Sequence, residues 1–158
     1  MEKVIDDLDR KILRIITQNA HIPFKDVAEE CGVSRAAVHQ RVQRLFDLGV
    51  IIGSGYDVNP KMLGYQICVY VGITLEKGSV TIYESVIKEL NKIPEIVESQ
   101  LTLGAYTMLI KMYARDATHL MELLNNKILE INGVVSTQTL TSLDQRIHRP
   151  IPIELSED

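Results

Sequence analysis

Apolar residues in the first fifty positions recur at helical spacing. Leu8, Ile12, Ile15 and Ile16 make one stripe over residues 7–18, and Asp6, Asp7 and Asp9 crowd its start, where the helix dipole favours negative charge. Residues 19–23 break the pattern. Pro23 is tolerated at a helix start because its missing N–H needs no partner there, so a short second helix is expected over residues 24–31, burying Val27 and Ala28. Gly32-Val33-Ser34 then reads as a tight turn: Gly supplies a left-handed residue, Val33 plugs the space between helices, and Ser34 caps the next helix. Over residues 34–48, Val38, Val42 and Leu45 lie within about 60° of one another on a helical wheel, which makes one side core. Gly49 ends this helix. Val50-Ile51-Ile52 followed by Gly53-Ser54-Gly55 reads as a strand and a flexible exit.

The pattern changes after Asn59-Pro60-Lys61. Tyr65, Ile67, Val69, Val71, Ile73 and Leu75 alternate with Gln66, Cys68, Tyr70, Gly72 and Thr74, the period of a strand over residues 65–75. A helix is expected over residues 79–91, strands over 95–103 and 106–112 with a turn at Gly104, a helix capped by Asp116 with its stripe from Ala117 to Ile128 and its end at Asn132-Gly133, and a last strand over 134–143. The order βαββαβ predicts a ferredoxin-like, four-stranded antiparallel sheet with both helices on one face. The fold class is therefore α+β, with an N-terminal, winged-helix-like helix-turn-helix domain at residues 1–52, a linker strand at 53–61 and a C-terminal domain at 62–158. Two helices cover one sheet face only. Apolar and aromatic side chains on the other face predict a homodimer.

Composition is that of a folded globular chain, with 46% hydrophobic and 24% charged residues. The net charge of −4 argues, as a whole-chain average, against nucleic acid. The distribution argues otherwise: Ser34 to Phe46 contains Arg35, Arg41, Arg44 and His39 and no acid. Cys31 and Cys68 have no neighbouring thiol or His at ligand spacing and read as reduced thiols. The N-terminus is charged, and no apolar run approaches the roughly 20 residues needed to span a bilayer. A cytoplasmic protein with no membrane partner and no metal or cofactor is the expectation.

A helix fits the major groove, where each base pair shows a distinct set of donors and acceptors. Gln40 and Gln43 can each bond an adenine edge, Arg44 can reach guanine or phosphate, and small Ala36 admits the helix and can touch a thymine methyl. Arg35, beside the Ser34 cap and its free N–H groups, suits a phosphate, and His39 flanks the same face. Arg41 sits about 60° from the core stripe, and an intramolecular pair with Asp6, Asp7 or Asp9 is expected for it. An ordinary three-helix bundle with a polar exterior is the bland alternative. The short second helix, the Gly-Val-Ser turn and the acid-free face favour double-stranded DNA.

These stretches also resemble a family. LDRKIL (8–13), DVAEECGVSRAAVHQRVQRLFDLGVI (26–51), YDVNPKMLG (56–64), LGAYTMLI (103–110) and INGVVSTQTLTSL (131–143) are similar, in order, to the Lrp/AsnC or feast/famine regulators. That resemblance implies a transcription regulator, dimers through the C-terminal sheets, octameric assembly, and an amino acid effector bound between dimers. It places the effector site at Gly104, Ala105, Tyr106 and Thr107, with Val134, Val135, Ser136 and Thr137 of a neighbouring subunit. Thr107 stands where many members have Asp, which removes a partner for an effector's ammonium group. Pro23 stands where a capping Ser or Thr is common.

Two other functions compete with this reading. A branch similar to this family decarboxylates tetrapyrroles, but the exposed candidates here, His119 and the tail set Arg146, His148 and Arg149, form no defensible acid, nucleophile or metal-ligand spacing. The chain is expected not to be an enzyme. A ligand-independent DNA-organising protein differs from the leading reading only in lacking the effector.

Overall fold

The computed structural model describes residues 5–78 and 80–155. It divides into two compact units, residues 1–57 with 147–158, and residues 58–146. The tail, which the sequence reading attached to the C-terminal domain, thus clusters with the N-terminal helices.

In the first unit, α1 (Asp7–Gln18), α2 (Phe24–Cys31) and α3 (Arg35–Asp47) follow one another through short turns. Asp6 caps α1 by accepting from the Asp9 N–H, and the Asp9 carboxylate accepts in return from the Asp6 N–H. Gly32 takes the left-handed conformation at the end of α2, with φ +69°, and Ser34 Oγ accepts from the Ala37 N–H to start α3. Ile12, Val27, Ala28, Val38 and Val42 form the core, with Leu8, Ile15, Phe24 and Val33 packed around it. The tail meets α1 where Arg10 Nη1 donates to the Glu154 carbonyl at 3.1 Å.

Residues 50–52 are not a strand, contrary to expectation. The β-branched run suggested one, but the Val50 and Ile51 N–H groups both donate to the Leu45 carbonyl, so the backbone is spent on finishing α3. Ile51 packs on the helical core while Ile52 is fully exposed, and among the described residues of this unit no strand is available to pair with either.

The second unit opens with a 3-10 turn, Pro60–Leu63, capped by Asn59. Then come β1 (Ile67–Leu75), α4 (Val80–Leu90), β2 (Ile96–Leu101), β3 (Met108–Ala114), α5 (Ala117–Glu122) and β4 (Val134–Ser142). Ser79, the expected start of α4, lies outside the described residues. The sheet order is β2-β3-β1-β4, antiparallel throughout, as the βαββαβ order predicts. Val69, Val71, Ile73 and Leu75 of β1 alternate into the core with Met108, Ile110, Met112 and Ala114 of β3. Val86 and Leu90 of α4 close that face with Leu123 and Ile128. The helix expected to run from Asp116 to Asn132-Gly133 changes pitch half-way and ends earlier: α5 passes into a π-helical turn, Leu123–Ile128, after which the Leu129 N–H returns to the Leu124 carbonyl. Both ends of that turn, Leu123 and Ile128, are buried.

The candidate DNA-reading helix and effector region

Helix α3 presents the face expected of it. Ser34, Arg35, Ala36, His39, Gln40, Gln43 and Arg44 are all exposed, while Val38, Val42 and Leu45 are buried on the opposite side. His39 meets the Phe24 ring edge-on at 6.0 Å, and Gln43 Nε2 donates to Asp47 Oδ1 at 3.0 Å.

What holds this helix is an ion-pair network. Asp9 is completely buried yet well partnered: Oδ1 accepts from Arg41 Nη1 at 3.0 Å, and Oδ2 accepts from Arg44 Nη1 at 3.1 Å and from the Asp6 N–H at 3.0 Å. Arg41 also pairs with Asp6. The expected pairing of Arg41 with the first helix is therefore present, shared between Asp6 and Asp9. Arg44, assigned from sequence to guanine or phosphate, has one nitrogen on Asp9 while its side chain stays 48% exposed. From sequence, Asp9 is an acid at the start of α1 and one of three candidate partners for Arg41. Its place three residues after a capping Asp was the available signal for a buried carboxylate facing inward.

The Arg41 guanidinium, with the Asp9 N–H, holds the Asp6 carboxyl below its usual range. A carboxyl lowered in the folded state contributes stability that is complete above its unfolded value, about 4, and is lost as pH falls through the lower folded value. The first unit is therefore expected to lose stability on acidification below about pH 4, and Asp6→Asn to flatten that part of the profile. Denaturant midpoints measured from pH 6 to pH 3 would show it, and an unaltered slope in the variant would remove Asp6 from the account.

In the second unit, the turn between β2 and β3 carries Gly104, Ala105, Tyr106 and Thr107. Gly104 has φ +148°, a conformation that side chains resist. Thr107 is tied down: its N–H donates to the Ile73 carbonyl, and its Oγ1 accepts from the Leu75 N–H at 3.2 Å. Tyr106 crosses to the outer sheet face, where its ring lies directly on Gly72 and its hydroxyl donates to Gln138 Oε1. A Cβ at Gly72 would come within 2.5 Å of that ring, so only glycine leaves the space. Gly72 and Gln138 were not foreseen as site residues, although a lone glycine inside a strand is a signal of close approach. Val134, Val135, Ser136 and Thr137 open β4, with Val135 and Ser136 exposed and Val134 and Thr137 half-buried. Within one chain, β4 joins the turn through the Tyr106–Gln138 bond.

The outer sheet face carries Tyr70, Lys111, Tyr113 and Leu140. Lys111 Nζ lies 5.9 Å from the Tyr70 ring centre and 5.7 Å from that of Tyr113, and a cleft of about 420 Å³ opens beside them. Cys31 and Cys68 are partly buried free thiols, and burial pushes the Cys31 thiol up. No helix among the described residues is long and apolar enough to cross a membrane.

Both units match known sequence families. The profile of the AsnC-type helix-turn-helix domain matches residues 5–45, and that of the Lrp/AsnC ligand binding domain matches residues 68–152. The chain belongs to the Lrp/AsnC family. It is 37% identical to the regulatory protein AsnC of Haemophilus influenzae, covering 93% of this chain and 97% of the relative. The structure of E. coli AsnC, also 37% identical, superposes with a TM-score of 0.85 over 93% of this chain and 97% of its own. A Neisseria meningitidis transcriptional regulator solved as a complex with L-Met shares the fold, with a TM-score of 0.88 over 94% of this chain and 96% of its own at 19% identity. Relatives matched over 93–94% of this chain are named regulatory proteins or transcriptional regulators. This Lrp/AsnC protein is accordingly a DNA-binding transcriptional regulator with a ligand-binding domain, and not a decarboxylase-like enzyme.

Proposed function

We propose that this Lrp/AsnC protein is a cytoplasmic regulator that recognises specific DNA sequences through Gln40 and Gln43 and responds to an amino acid bound at the Gly104–Thr107 turn. The observation that carries the DNA reading is the exposed outer side of α3, acid-free from Ser34 to Phe46 and anchored from behind by the buried Asp9 pairs. Arg35 and the Ser34 end of the helix meet phosphate, Ala36 allows close approach, and His39 and Arg44 border the contact.

For the effector, the turn offers backbone N–H groups at Gly104, Ala105 and Tyr106 for a carboxylate, and among the described residues none of these meets an acceptor. Thr107 supports the turn instead of supplying an acid, because its hydroxyl already serves the Leu75 N–H. The effector's ammonium group must then be met elsewhere, with Val134, Val135, Ser136 and Thr137 of a neighbouring subunit lining the other side. The L-Met complex of the Neisseria regulator supports an amino acid as ligand class and assigns no residue here. Dimers form through the outer sheet face and assemble further into an octamer, so that weakly charged helices bind DNA by repetition.

A ligand that binds only the folded state raises its melting midpoint. One of the twenty amino acids is expected to do so, by several degrees at saturation, and Tyr106→Ala to remove the response. No shift with any of them would favour a DNA-organising protein without an effector.

A further inference from the structure

We infer that Asp47 is a specificity-determining residue, which fixes the orientation of the Gln43 amide for reading adenine. The acid-free stretch of α3 ends at Asp47, and this first acid accepts from Gln43 Nε2 at 3.0 Å. Both residues are exposed, one helical turn apart. A side-chain amide can face either way, but a carboxylate accepts and cannot donate, so only the NH₂ side of Gln43 can face Asp47. One N–H is then engaged, and Oε1 and the second N–H remain for a base.

That remaining pair, one acceptor and one donor in a fixed plane, is what an adenine edge requires: Oε1 accepts from N6–H and Nε2 donates to N7. A free glutamine samples the flipped amide and several rotamers, and ordering it on binding costs affinity and blurs preference. Asp47 removes that freedom beforehand. Its charge works against the phosphate backbone, so it lowers affinity for all DNA while sharpening choice at one base pair. Gln40 has no acid at the equivalent i+4 position, which is Arg44. The two glutamines are therefore held differently.

This inference rests on Gln43 reading a base, and the test separates the two. Sites would be selected from random DNA by the full-length protein, and base preference at each position measured at fixed salt for Gln43→Ala, Asp47→Ala, Asp47→Asn and Gln43→Ala/Asp47→Ala. Gln43→Ala is expected to erase preference at one base pair per half-site. Asp47→Ala should reduce that same preference by about 3–10-fold without weakening binding to random DNA, and Asp47→Asn, which can donate as well as accept and so meets either side of the Gln43 amide, should lose most of it too. In the Gln43→Ala background, Asp47→Ala should change preference no further. If Gln43→Ala loses preference and Asp47→Ala does not, Asp47 has no such role. A uniform loss of affinity for all sequences by Asp47→Ala, with a lowered melting midpoint, would likewise overturn it as merely structural. An unchanged preference in Gln43→Ala would overturn the base contact itself and the inference with it.

Discussion

Asp9→Ala is expected to destabilise the N-terminal unit by about 2–3 kcal/mol and to abolish DNA binding at physiological temperature. Breaking a buried ion pair on one side typically costs about 3–5 kcal/mol, and the figure is reduced here because both arginines can turn towards water. Their side chains are 32% and 48% exposed, against 1% for Asp9. In a unit this small, about 1 kcal/mol corresponds to roughly 4–8 °C, so the midpoint should fall by about 10–20 °C. The functional loss follows from placement. Asp9 joins the start of α1 to two successive turns of α3, and without it the reading helix is held only by its apolar side and the more exposed Arg41–Asp6 pair. Asp9→Asn keeps the shape but offers an N–H to a guanidinium, and should recover little of the loss. An unchanged thermal midpoint in Asp9→Ala would show the network to be incidental.

The second large effect is expected at the outer sheet face. Leu140 pairs in register with Tyr70 on that face and is 55% exposed in the isolated chain. Because the side chain is not part of the folded core, Leu140→Asp should change chain stability by less than about 0.5 kcal/mol. In the proposed dimer the same position is buried against a second copy, where a carboxylate without a partner costs far more. The variant is expected to elute as a monomer near 17.8 kDa in gel filtration with light scattering. Linked helices gain about 10²–10⁴ in binding over single ones, and the variant should lose operator affinity on that scale. A variant that stays dimeric would move the interface elsewhere.

Much of the fold was legible because local chemistry and burial agreed. The strict alternation from Ile67 to Leu75 reflects a strand with one face in the core, and Ser34 marked the start of α3 because its cap is a local interaction. Arg41 could be assigned to the interior side from its angle on the wheel. Where the answer depended on distant partners, the pattern was insufficient. Arg44 lies on the outer side of α3 by angle, and only the packing of α1 against α3 brings a buried carboxylate to it. Val50-Ile51-Ile52 has strand composition, but the Leu45 carbonyl takes the amides a strand would need. Tyr106 reaches Gly72 across strands that are remote in sequence, so neither the missing Cβ nor the bond to Gln138 could be read from the turn alone.

The outer face of α3 is proposed to read DNA sequence. The most direct test is the affinity of Gln40→Ala/Gln43→Ala, at fixed salt, for a site selected from random DNA by the unaltered protein. Both side chains are exposed, so the fold and its melting midpoint should be retained. Each base contact contributes about 1–3 kcal/mol of discrimination, so binding to the selected site should weaken by about 30-fold or more while binding to random DNA stays constant. Unchanged affinity and unchanged sequence preference would contradict the claim.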